Sequence, residues 1–188
     1  YYERDGVIWS GDLGSDSYLL PGSDDSSQNG GRWDLFRCGL LSHSTIWFDD
    51  TEHIVTAKTH IKECFDDERI GVIVDLTAAC ANKVSYAERK VYLEEDELHV
   101  IDEIIPLSAT TVTWNMLTAE NAEITKESMI MLSQDGKGMA LEVKSPGDAK
   151  LFVLPAEAGA GEATNPGYVR VGFMAVLKAL NKCELHVT

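Results

Sequence analysis

The stretch Leu41-Ser42-His43-Ser44-Thr45-Ile46-Trp47-Phe48-Asp49-Asp50 sets a histidine at the mouth of an apolar, β-branched and aromatic run. An imidazole there can move a proton, because its unperturbed pKa of about 6.5 allows exchange near neutral pH, and it can also ligate a metal. A lone histidine is more often a structural hydrogen-bonding group. His60 alternates with Lys58 and Lys62, the pattern of a wet strand face, and His53 and His186 show no partner spacing. A second stretch, Trp9 to Gly22, is followed at a distance by Arg32-Trp33. Its glycines permit positive φ, and Asp12 and Asp16 can accept backbone N–H bonds, so it reads either as a self-capped surface loop or as a binding loop. The spacing of an EF-hand is missing, and no calcium loop is read there. Trp33, beside this loop, is a candidate for stacking on a sugar ring, whereas Trp47 and Trp114 keep apolar company at i and i+2 and read as core. Arg89, inside an apparent strand, is suited to an anionic ligand or to a neighbouring carboxylate.

These residues need a scaffold, and the periodicity supplies one. Short segments rich in Val, Ile, Thr and aromatics recur between turn signals, the spacing of an antiparallel sandwich and not of βαβ units. Strands are predicted near 6–9, 44–48, 53–63, 70–78, 84–94, 97–105, 110–118, 128–132, 137–144, 149–154, 168–177 and 183–188, with very little helix. Val112, Trp114 and Met116 fall on one face of a strand and Thr111, Thr113 and Asn115 on the other, which predicts a core face and a wet face. Gln134-Asp135-Gly136-Lys137 and Glu95-Asp96 read as hairpin turns. Gly11 to Arg32, with five glycines, is a long loop, and Pro155 to Gly167 is a second. The expected architecture is one all-β, antiparallel sandwich domain over residues 1–188.

Composition removes several classes of function. Thirty-one acidic against 16 basic residues give a net charge of -15, opposite to what a phosphate backbone requires, so nucleic acid is excluded as a partner. The same charge repels an anionic polysaccharide at long range, so such a ligand must meet local basic groups or a second domain. Cys38, Cys64, Cys80 and Cys183 contain no CxxC pair and indicate neither a zinc ribbon nor a dense disulfide framework. No run approaches the roughly 18 apolar residues of a membrane helix, and the first residues have no apolar signal core. The abrupt opening inside a strand lead-in suggests a piece of a longer chain.

Several motifs, in order, resemble one family. Trp9 to Gly22 resembles the W-x-x-D-L-G-x-D-x-Y-x-L-P-G run that opens the sandwich domain of heparinase II/III-like polysaccharide lyases, and Arg32-Trp33 resembles their following R-W. Ser42-His43-Ser44-Thr45-Ile46 resembles their H-N-T-[LV] strand, with Ser44 where Asn is usual. Val74-Asp75-Leu76-Thr77-Ala78-Ala79 resembles a V-x-D-L-T-x-A strand, Arg89 the arginine of the next strand, and Val100-Ile101-Asp102-Glu103-Ile104 a V-x-D-E-[ILV] ending. The resemblance spans about residues 6–105; beyond 110 only a compatible β-pattern remains.

The resemblance implies β-elimination on a uronate-containing glycan, glycosaminoglycan-like or alginate-like, in the periplasm or outside the cell. A base removes the proton α to the uronate carboxyl and the C4 oxygen leaves, through an enolate-like intermediate that needs electrostatic stabilisation. The family's amino-terminal (α/α) toroid supplies a Tyr and usually an Asn, so this chain would be incomplete alone. His43 is the position carried over as acid/base; Arg32, Trp33 and Arg89 are carried as substrate-binding candidates. Members that hold a divalent metal, zinc or calcium, do so through His and a carboxylate, which makes His43, His60 and His99 the candidate ligands, and no other cofactor is expected. Two rival readings are a non-catalytic carbohydrate-binding or scaffolding sandwich, and an interaction module whose acidic surface meets a basic partner.

Overall fold

The structure, a computed structural model, describes residues 1–119 and 121–188. In chain order the strands are β1 (Tyr2–Arg4), β2 (Val7–Ser10), β3 (Ile46–Phe48), β4 (His60–Asp66), β5 (Ile70–Asp75), β6 (Val84–Glu94) and β7 (Glu97–Pro106). They continue with β8 (Thr110–Ala119), β9 (Ala122–Lys126), β10 (Met129–Gln134), β11 (Lys137–Ser145), β12 (Lys150–Pro155), β13 (Tyr168–Leu177) and β14 (Cys183–Val187). Two single 3-10 turns, Gly31–Asp34 and Leu40–Ser42, are the helical segments among the described residues.

An eight-stranded antiparallel sheet, β4-β5-β6-β7-β14-β11-β10-β9, packs on a four-stranded one, β12-β13-β8-β3, and β1-β2 forms a separate hairpin. The fold is the expected all-β sandwich. Tight turns set the register: Asp5-Gly6 and Asp135-Gly136 each join paired strands through two residues at positive φ, the geometry whose twist matches that of a hairpin, and Glu95-Asp96 joins β6 to β7 with Glu95 at positive φ. Ala87, Ile104, Ile130 and Leu185 of the large sheet meet Val112, Val171 and Phe173 of the small one in a continuous core. Trp114 lies parallel to Phe173, with ring centroids 6.0 Å apart.

Three expectations are corrected. The strand predicted over 53–63 begins only at His60, because Thr51 turns back to bridge Phe48 and the Ile54 N–H goes to the Ala79 carbonyl. The short strands β1 and β9 carry too few alternating residues to stand out in sequence. The supposed wet face of β8 is buried: Asn115 is 0% and Thr113 7% exposed. It is covered by the chain around Leu40–Ser42 and by Arg170, so β8 is enclosed on both sides. Trp47 is likewise 2% exposed, on this second face, opposite Thr113 in the register.

The two long loops hold each other. Phe36 donates its N–H to Glu162 Oε2 at 2.7 Å, Ala163 donates to Asp16 Oδ2 at 2.9 Å, and Arg37 Nε and Nη2 donate to Asn165 Oδ1 and the Thr164 carbonyl. Below them Phe36, Leu117 and Ala156 form a second, smaller apolar cluster.

All four cysteines are free. Burial, with a further contribution from Asp102, pushes the Cys80 thiol up to about 12, while Cys64 is exposed. Since the thiolate is the reactive species, an alkylating reagent at neutral pH should label Cys64 in the folded protein and reach Cys80 only on denaturation. Mass-spectrometric mapping of the labelled sites reads this directly, and rapid native labelling of Cys80 would contradict it.

Candidate functional site

The outer face of the small sheet gathers the polar side chains that the core cannot use. Strand alternation puts Val171 and Phe173 inward and Arg170 and Gly172 outward on β13, and the register sets Arg170 beside Leu117 and Gly172 beside Asn115. The fully buried Asn115 amide donates to the carbonyls of His43 (2.8 Å) and Leu41 (3.3 Å) and accepts from Arg170 Nε (3.1 Å). One amide thus ties the His43 segment to Arg170. The guanidinium lies 5.8 Å from the ring centres of both Trp47 and Phe152. Burial lowers the Arg170 pKa against an opposing contribution from Asp50.

His43 follows the Leu40–Ser42 turn and is exposed. Its Nδ1 lies 2.7 Å from the Oγ of Ser42, which is 1% exposed and 3.4 Å from the Gly39 carbonyl. The serine therefore fixes the ring, and Nε2 has no hydrogen-bond partner among the described residues, which leaves that nitrogen free to exchange a proton. Glu52 lies within electrostatic reach. Burial raises its pKa, opposed by the His53 N–H, the His53 and His43 imidazoles and the Leu40 N–H. Beside it a groove of about 600 Å³ is lined by Trp33, Leu41, Trp47, Asp50 and Glu52.

The other predicted residues take separate places. Trp33 borders the groove but donates Nε1 to the Ser27 carbonyl at 2.8 Å. Arg32 braces its own loop, donating to the Ser23 carbonyl at 2.8 Å and lying over Tyr18. Arg89 points into the sandwich, where Nε and Nη2 bind Asp102 at 2.6 and 2.8 Å. Burial lowers the Arg89 pKa but the Asp102 carboxylate outweighs it, and the net shift is upward. The Arg89 charge is thus committed internally, not to an outer ligand. Ser44 also turns inward, 2.8 Å from Ser10 Oγ, and with Arg89, Trp9 and Trp114 lines a cleft of about 800 Å³ between the sheets.

The candidate metal ligands do not assemble. His43 stands before β3, His60 on the exposed edge strand β4 near Asp75, and His99 on the outer face of β7. His99 stacks on Tyr92 with centroids 4.6 Å apart, and its Nδ1 lies 3.0 Å from His186 Nε2. Among the described residues no three His, Cys, Asp or Glu side chains converge closely enough to hold a metal. The donor set therefore does not fit a three-ligand zinc site. His53, without partner spacing in sequence, donates Nε2–H to the Ile46 carbonyl at 2.8 Å.

Sequence reasoning missed Ser42, Glu52, Asn115 and Arg170. Arg170 alone carried a legible signal, a charge inside the apolar strand Tyr168–Leu177. Alternation along β8 puts Asn115 on a wet face, and only the pairing of β8 between β3 and β13 reveals it as a buried tie.

The fold defines the class of this domain: a β-sandwich of the kind found in heparinase-type lyases. The particular structures that share it include the heparan sulfate lyase HepC from Pedobacter heparinus, a mutant form of that enzyme, and heparinase III. They superpose with TM-scores of 0.63, 0.72 and 0.73 at 13%, 13% and 11% identity, covering 77%, 97% and 98% of this chain. The chain spans only 23%, 28% and 28% of theirs. No protein-family model and no curated protein matches the chain.

Proposed function

We propose that this chain is the β-sandwich portion of a polysaccharide lyase that cleaves uronate-containing glycans by β-elimination, working outside the cytoplasm with a helical domain of the same longer protein. The observation that carries this reading is His43: an exposed imidazole, pinned through Nδ1 by a buried serine, with Nε2 open on the outer face of the small sheet. In the proposed step Nε2 exchanges a proton with the uronate substrate while Ser42 holds the ring plane. Stabilisation of the enolate-like charge falls to groups outside this chain, and no step is assigned to a metal.

The test is made in the longer protein, by the ultraviolet absorbance of the unsaturated uronate product from heparan sulfate and from alginate. His43→Ala should lower kcat by about 10²–10⁴-fold, the usual worth of a positioned acid or base. Unchanged turnover in a folded His43→Ala protein would remove His43 from the chemistry. A folded longer protein without activity on any uronate polymer would favour the non-catalytic glycan-binding reading, to which the groove beside Trp33 lends support.

A further inference from the structure

Most arginines of the sandwich are answered by a carboxylate or by several acceptors, and Arg170 is not. Arg89 is paired with Asp102, Arg69 with Glu94 and Arg4 with Asp96, while Arg37 spends Nε, Nη1 and Nη2 on Asn165, Leu13 and Thr164. Arg170 is half-buried, yet it forms no ion pair, and Nε–H to Asn115 is its one hydrogen bond among the described residues. The nearest carboxylate to act on it, Asp50, accepts from Trp47 Nε1 at 3.3 Å instead. A guanidinium removed from water without a counter-ion is costly, and this one is held in a fixed attitude: Asn115 grips Nε from behind, and the Trp47 and Phe152 rings flank it.

We infer that Arg170 is an anion-binding residue, whose two unpartnered Nη groups take the carboxylate of a uronate ring in a bidentate grip on the outer face of the small sheet. Three independent features support the carboxylate. The planar fork of an arginine matches the two oxygens of a carboxylate. The flanking indole and phenyl rings, themselves only 2% and 9% exposed, lower the dielectric around the guanidinium and so strengthen its attraction for an anion. In a chain of net charge -15, an acidic glycan needs a local unpaired cation. Phe152 reaches this position because Gly172, its register partner, has no Cβ: one built there would lie 3.1 Å from Phe152 Cζ. Asn115 ties Arg170 to the backbone of the His43 segment, so the anion would bind on the face that carries that segment. The inference rests on the reading of this face as glycan-binding, and not on catalysis.

The test is calorimetric titration of this chain with an alginate-derived oligouronate and with its carboxyl-reduced, neutral counterpart, for the wild type, Arg170→Gln and Arg170→Lys. Folding of each variant is checked by thermal melting. The oligouronate should bind the wild type, at least 10-fold more weakly to Arg170→Gln, with partial retention in Arg170→Lys and weakening as salt is raised. The reduced oligosaccharide should bind the wild type no better than the oligouronate binds Arg170→Gln. Equal affinity of wild type and folded Arg170→Gln, equal affinity for the reduced ligand, or no binding by the wild type would overturn the inference. Should Arg170→Gln fail to fold, the reduced ligand and Arg170→Lys decide. Arg170-dependent binding in a protein that never yields unsaturated product would leave the anion site standing and remove the lyase reading alone.

Discussion

Asp102→Ala should destabilise the domain by about 3–5 kcal/mol, the cost of leaving a buried charge without its partner, read as a fall in the midpoint of urea unfolding. Asp102 is fully buried and meets Arg89 with both oxygens. The pair sits where β6 and β7 run side by side, with Arg89 and Asp102 directly opposite in the register. Removing the carboxylate strands the guanidinium with only a long contact from Nη1 to the Ser44 carbonyl, 3.4 Å. The double replacement Arg89→Met with Asp102→Leu should recover most of the loss, because the pair itself contributes little once its desolvation is counted. A single variant within 1 kcal/mol of the wild type would show that water reaches Arg89.

Gly172→Ala should cost at least about 3 kcal/mol, the upper end for an overpacked core. A Cβ at this position would stand 1.9 Å from the Trp114 carbonyl oxygen. That neighbour is backbone in the middle of the small sheet and cannot rotate away, so β8 and β13 must separate. The control is Gly138→Ala on β11, where a Cβ finds its nearest neighbour at 3.8 Å and the backbone is not in the left-handed region. There the change should be neutral or slightly stabilising, through the lower entropy of the unfolded chain. Because Gly172 pairs with Asn115, any surviving Gly172→Ala protein should also show a shifted His43 ring signal by NMR. Matching midpoints for Gly172→Ala and Gly138→Ala would mean that the two strands part easily.

The contrast between these two glycines bears on what a linear chain can reveal. Neither differs from the other by residue type, and both lie in predicted strands. Their consequences diverge by several kcal/mol because Gly172 faces a neighbouring strand across a closed interval, in a backbone conformation (φ 157°) that side chains rarely adopt, while Gly138 has room for a Cβ in an ordinary strand conformation.

The sequence by itself determined the class of fold, the hairpin turns at Glu95-Asp96 and Asp135-Gly136, and the prominence of His43, since these depend on periodicity and local backbone chemistry that act within a few residues. It also supplied the ordered motifs of residues 6–105 that resemble the lyase family. Only the tertiary structure decided the rest. Which of two facing groups an arginine answers depends on long-range pairing: Arg89 meets Asp102, 13 positions away, and Arg170 meets Asn115, 55 positions away. The second face of β8 became buried because distant loops fold over it, which alternation along one strand cannot register. The histidines failed to assemble as ligands because the sheets hold β4, β7 and the approach to β3 apart. Residue type and spacing fix what a side chain can do; the partner it meets, and so what it does, is set by how the strands are paired.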